Sequence, residues 1–249
     1  MAQAKTGFTR LDSPASHSSL VGFYSAVITA AMAVVTFGLA MTAIPISGAN
    51  CPGSCVDYPC LDTVSQYPRD FRWMVPAMVL VLSYVVLMVS LHAYTEAHKR
   101  IYSQIGLSFA LVAAVILLAD YYLQFSVVPV SLMNGETEGL PLLIQYNPHG
   151  VFLALDELGY LVMGLSFLFV GIALSGITRL ELAIRWIFIT GFTLVMLALA
   201  AMSIGYGLER LDRFEVIAIS IDWLVLIVNG VLLRILFSRR NRESRRQRV

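Results

Sequence analysis

Six predominantly apolar stretches divide the chain, at 20–44, 71–94, 103–128, 151–176, 186–206 and 216–237. A helix that crosses a bilayer needs about 20 apolar residues, and every stretch meets that length. None alternates apolar and polar side chains as barrel strands do. Hydrocarbon offers backbone groups no partner outside their own segment, so each stretch is expected to be a helix. Pro76 falls in the first turns of the second stretch, where its missing N–H is tolerated. The pattern predicts an all-α polytopic membrane protein: a cytoplasmic N-terminal segment over 1–19, a bundle of six transmembrane helices over 20–238 and a basic tail over 239–249. The first stretch exceeds the apolar core of a signal peptide, about 7–15 residues, and reads as an uncleaved span.

The flanking charges set an orientation. One set of connections and termini carries Lys5, Arg10, Lys99, Arg100, Arg179, Arg185 and the six arginines after Phe237; the other carries Arg69, Arg72, Arg210 and Arg213. The positive-inside rule then places both termini in the cytoplasm of a multi-pass cell-membrane protein.

Composition agrees with that class. Of 249 residues, 58% are hydrophobic and 13% charged, with mean hydropathy +0.76; soluble domains carry roughly 45–50% apolar and about 25% charged residues. The net charge of +1 conceals a strongly basic C-terminus. Beyond fixing topology, that tail suits anionic lipid headgroups, so the expected partners are the bilayer, those headgroups and a small solute or ion. No fold for nucleic acid accompanies it, and no nucleic-acid partner is expected. No lipidation motif is visible at either end.

The first outward connection holds all three cysteines, in NCPGSCVDYPC. On an oxidising side one disulfide is expected, and Cys51–Cys55, Cys51–Cys60 and Cys55–Cys60 all remain open. The spacing lacks paired C-x-x-C and a nearby His, which argues against a metal site there. The second connection, 129–150, bears turn signals at Asn134-Gly135 and Asn147-Pro148. Between them LPLLIQY is apolar but too short to span, and lies at the interface or dips back into the bundle. The third, ERLDRFE, reads as a solvated connection whose charges pair locally.

Four carboxylates inside the apolar stretches carry the clearest functional signal: Asp120, the adjacent Asp156 and Glu157, and Asp222. A charge at the centre of a bilayer costs about 2.5–3.5 kcal/mol on insertion scales, so each needs a partner, a wet cavity or a proton. At 1.5 Å per residue all four fall in the outer half of the membrane. A water-filled pocket open to the outside would gather them with Gln124, Tyr160, Asn229 and His149. Asp156 and Glu157 point about 100° apart on a helix, so one of them faces such a pocket. If Asp120 and Asp222 share it, their helices are neighbours. The alternative is interfacial placement, with the carboxylates favoured by helix N-termini.

Other chemistry is thinly supported. Asp120, His149, Asp156 and Asp222 match metal ligands by type, so a metal-dependent membrane enzyme is the alternative reading. His92 and His149 lie at opposite membrane faces and cannot pair on a haem. No nucleophile elbow, P-loop or dinucleotide fingerprint is present, and no cofactor is expected.

Residues 120–161 contain Asn134-Gly135-Glu136-Thr137-Glu138-Gly139, then Gln145-Tyr146-Asn147-Pro148-His149-Gly150, then Asp156-Glu157-Leu158-Gly159-Tyr160. This segment resembles uncharacterised multi-spanning prokaryotic integral membrane proteins. The resemblance implies the structural class and no activity. The expectation is therefore a membrane protein that binds or transports a small solute or ion through an outward-facing polar pocket, with a metal-dependent enzyme or an accessory subunit as alternatives.

Overall fold

In a computed structural model that describes residues 14–43, 45–53 and 55–246, the chain is all-helical, with no strand among the described residues. Six helices are long and apolar enough to cross a membrane. They are α1 (Pro14–Ala40), α2 (Met74–Tyr94), α3 (Arg100–Ser126), α5 (Val151–Ala173), α6 (Arg179–Tyr206) and α7 (Arg213–Arg246), with a short α4 (Val128–Met133) after α3. Residues 1–13 of the N-terminal segment, with Lys5 and Arg10, and residues 247–249 of the tail lie outside the described residues.

The helices pack as a ring in the order α1, α2, α3, α5, α6, α7, and α7 closes on α1. α5 also touches α7 across the interior, which makes it the centre of the bundle. Its buried face shows why: Gly159, Gly164, Ser166 and Gly171 present little bulk, so α3 and α6 approach closely. At the α1–α7 crossing, a Cβ on Gly230 would sit 2.8 Å from Ala30 Cβ and 3.0 Å from the Ala26 carbonyl oxygen. Two backbones meet there with no side chain between them. Outward faces keep large apolar residues exposed, such as Val115, Leu197 and Ile204, as a bilayer requires.

Several boundaries extend past the apolar stretches. α6 starts at Arg179 rather than 186 because Thr178 and Glu181 form a capping box. The Thr178 hydroxyl accepts from Glu181 N at 3.2 Å, and Glu181 Oε2 accepts from Thr178 N at 3.3 Å. α7 runs on through the basic tail to Arg246, so the expected separate tail segment is the end of the last helix. Hydropathy registers where a helix turns polar, which need not be where it ends.

The connections at one end, called the loop end, are structured. Cys51 and Cys55 form the disulfide, and Cys60 is a free, buried thiol. Burial, and then the nearby Asp57 charge, push that thiol above its usual range. The 140–146 segment does not re-enter the bundle. It forms a 3-10 turn (Leu140–Leu142) and buries Leu140 and Ile144 against Cys60 and Val128. The two loops are tied together: Ser47 Oγ donates to the Tyr146 carbonyl, and the Tyr146 phenol donates to Asp70.

Candidate functional site

A cavity of about 360 Å³ opens at the loop end, between the end of α1, both large loops and the starts of α5 and α7. Its walls are aromatic, built from Phe37, Trp73, Tyr146, Phe152 and Trp223, and its acidic groups are Asp212 and Glu215. The aromatic side is a packed set. The ring centroids of Phe37 and Trp73 lie 5.9 and 6.2 Å from that of Trp223, and Trp73 also stacks edge-on against Tyr121 at 5.2 Å.

The two acids differ in task. Asp212 is spent on architecture: Oδ1 accepts the Ala49 N–H at 2.7 Å and Oδ2 accepts Asn50 Nδ2 at 2.9 Å. Gly48 makes this possible. It stands at φ +74°, and a Cβ there would lie 2.7 Å from Asp212 Oδ1, so only glycine lets the loop settle on the carboxylate. Glu215 instead lines the cavity, and its carboxyl and that of Asp156 act on each other. Two carboxyl groups so placed need a positive charge between them, a proton or a cation.

Behind Asp156 runs a hydrogen-bond chain whose direction is fixed by counting protons. The Tyr121 hydroxyl donates to Asp156 Oδ1 at 2.8 Å. It thereby spends its one proton, so Tyr160 is the donor in the 2.8 Å Tyr160–Tyr121 bond. Tyr160 in turn accepts the indole N–H of Trp223 at 2.9 Å. The chain therefore leads from Trp223 on the cavity wall, through Tyr160 and Tyr121, to the carboxylate that faces Glu215. Next to it, Arg210 pairs with Glu157, whose carboxylate is almost fully buried.

This arrangement corrects several expectations. Asp156 and Tyr160 are brought together on the hydroxyl of Tyr121, the residue that follows Asp120. Asp120 and Asp222 do not share a pocket, because α5 stands between α3 and α7. Asp120, Gln124, Asp222 and Asn229 are all buried, yet none of the eight candidate residues lines the cavity. Neither amide atom of Gln124 finds a partner, and Asn229 Nδ2 makes one long bond to the Ile184 carbonyl at 3.4 Å. His149 is exposed on the loop. Among the described residues no three His, Cys, Asp or Glu side chains converge as metal ligands, so His149 and the acids do not form the centre a metal enzyme would need. The third connection is not a solvated strip of local pairs: Arg210 reaches Glu157, Asp212 holds the first loop, and Glu215 enters the site.

The residues missed by sequence reading were thus Glu215 and the aromatic wall. Glu215 sits two residues into α7, where an acid reads as an ordinary first-turn charge. One signal was available: Glu215, Ile219 and Asp222–Trp223 recur at helical spacing, which puts the acid and the indole on one face.

No protein-family model, no curated protein and no solved structure matches the chain.

Proposed function

We propose that this protein binds, and carries across the membrane, a small organic cation that enters the loop-end cavity. The observation that carries this reading is Glu215 on the wall of an otherwise aromatic cavity. A cation over aromatic faces gains about 0.5–1 kcal/mol when exposed and 2 or more when desolvated, with Trp the best partner. Trp73 and Trp223 provide those faces, and Glu215 provides the counter-charge. Asp156 beside it lets the site trade a shared proton for the cation without leaving two bare carboxylates together. The volume lies within the roughly 300–1,000 Å³ of small-molecule pockets.

The charge asymmetry of the flanks supports an outward-facing loop end and cytoplasmic termini. The disulfide at the same end fits an oxidising side. The cavity then takes its solute from outside.

The test is equilibrium binding of benzyltrimethylammonium to the full-length protein in nanodiscs, read by quenching of tryptophan fluorescence. Trp73 and Trp223 line the cavity, and Trp186 is exposed on α6. Saturable quenching is expected in the wild type and in Trp186→Phe, and its loss in Glu215→Gln. A response that persists in Glu215→Gln, or follows Trp186, would defeat the proposal.

A further inference from the structure

A second group of buried polar side chains lies deeper in the bundle, past the cavity. Asp222 is 0% exposed and neither of its carboxyl oxygens has a partner. The hydroxyls of Tyr84 on α2 and Ser166 on α5 are also buried and unpaired, and the Tyr84 ring packs at 6.0 Å on Phe167, next to Ser166. Seven residues on from Asp222, the side-chain amide oxygen of Asn229 is also buried and unpartnered. Along α7, Asp222 and Asn229 lie about 14 and 24 Å from the loop end at 1.5 Å per residue. Buried polar atoms are normally paired, so unpaired ones gathered inside one bundle call for a function.

The surroundings of Asp222 narrow what that function is. Its charge acts on Tyr84 of α2 and on Tyr160 of α5, the latter bonded to the adjoining Trp223. α6 has no ionisable side chain between 187 and 205, and α1 has only the exposed Tyr24 between 19 and 40. No basic side chain reaches this carboxyl, so a proton is the simplest positive charge it can take.

We propose that Asp222 is a proton-carrying carboxyl that couples the cavity to the opposite side of the membrane, so that the organic cation is exchanged for a proton. This rests on the cation reading above. In the exchange, the Asp222 O–H bond breaks, its proton leaves to water on the cavity side, and a carboxylate remains. Tyr160 has one proton to donate, and it currently serves Tyr121. A charged Asp222 draws that O–H toward itself, which withdraws support from the Tyr121–Asp156 bond behind Glu215. Re-protonation of Asp222 from water at the far side, by way of the Tyr84 and Ser166 hydroxyls, restores the chain. One proton leaves outward for each monovalent cation carried inward, and the cycle is electroneutral.

Two measurements test this on the full-length protein. In nanodiscs, infrared difference spectra across a pH step should contain a protonated-carboxyl C=O band that disappears in Asp222→Asn and shifts in Asp222→Glu. In proteoliposomes, an inside-acid gradient should drive benzyltrimethylammonium uptake by the wild type and by Asp222→Glu. Asp222→Asn should lose that uptake while binding the cation as the wild type does. Gradient-driven uptake by Asp222→Asn, or spectra in which no band responds to either substitution, would overturn the proposal. If Asp222→Asn does not fold, an unshifted band in Asp222→Glu overturns it equally. A wild type that binds the cation but ignores the gradient defeats the exchange alone; one that does not bind defeats the cavity reading as well.

Discussion

Trp223 stands on the cavity wall and donates its indole N–H to the Tyr160 hydroxyl at 2.9 Å, which ties the surface a ligand would touch to the buried acid Asp156 through two phenols. Removing the middle of that chain leaves groups unpaired on both sides. Tyr160→Phe is expected to cost about 1–3 kcal/mol, the penalty for stranding buried donors and acceptors. For a chain of this size that is about 2–4 °C of Tm per kcal/mol, readable by thermal unfolding in detergent. Trp223→Phe strands no partner, since Tyr160 keeps its bond to Tyr121, and should cost less in stability while weakening cation binding. Equal stability for Tyr160→Phe and the wild type would mean that the chain is not formed.

Arg210 and Glu157 join the third connection to α5, with side chains 31% and 8% exposed. Breaking a buried pair costs about 3–5 kcal/mol, and the partial exposure of Arg210 reduces that figure through solvent screening. Arg210→Gln should therefore destabilise clearly, and Arg210→Gln with Glu157→Gln should recover most of the loss. A double variant no better than the single would show that Arg210 acts through some other contact.

Gly230 marks the α1–α7 crossing, where an added Cβ meets Ala30 Cβ and the Ala26 carbonyl. Neither can swing away, because one belongs to the smallest side chain and the other to backbone. Gly230→Ala is expected to destabilise by about 1–3 kcal/mol, as overpacked cores do. Gly38, with open space around it, serves as the control and should tolerate Ala. Equal Tm values for the two variants would contradict the close crossing.

These cases show how the sequence divides into legible and illegible parts. The six helices follow from apolar length alone, because hydrocarbon admits no other backbone solution. The acids at 120, 156, 157 and 222 were visible as costly exceptions, and all four are buried. Their grouping was not visible, because it depends on ring order: α5 lies between α3 and α7, so Asp120 and Asp222 meet different neighbours. Glu215 was hidden for the opposite reason. In a polar connection an acid looks unremarkable until Gly48 and Asp212 fold the first loop over it.

The loop end should loosen in alkali. Burial, and then the hydrogen bond to Asp70, push the Tyr146 phenol above its usual range. The unfolded phenol loses its proton near its ordinary value of about 10, while the folded one still holds it. Above that pH the unfolded state binds fewer protons, so stability present below about pH 10 declines as pH rises toward the folded value. Tyr146→Phe removes this contribution, and its unfolding temperature should fall less steeply between neutral and strongly alkaline pH than that of the wild type. Parallel curves would show that Tyr146 is not held by Asp70.

The central claim is that an organic cation sits between Glu215 and the indoles, and the most direct measurement is a cryo-electron microscopy map of the full-length protein in nanodiscs with benzyltrimethylammonium. The predicted result is density in the loop-end cavity, with the ammonium facing Glu215 and within about 6 Å of the Trp73 or Trp223 ring centroid. Density confined to other surfaces, or a Glu215 carboxyl turned out of the cavity toward lipid, would contradict the account.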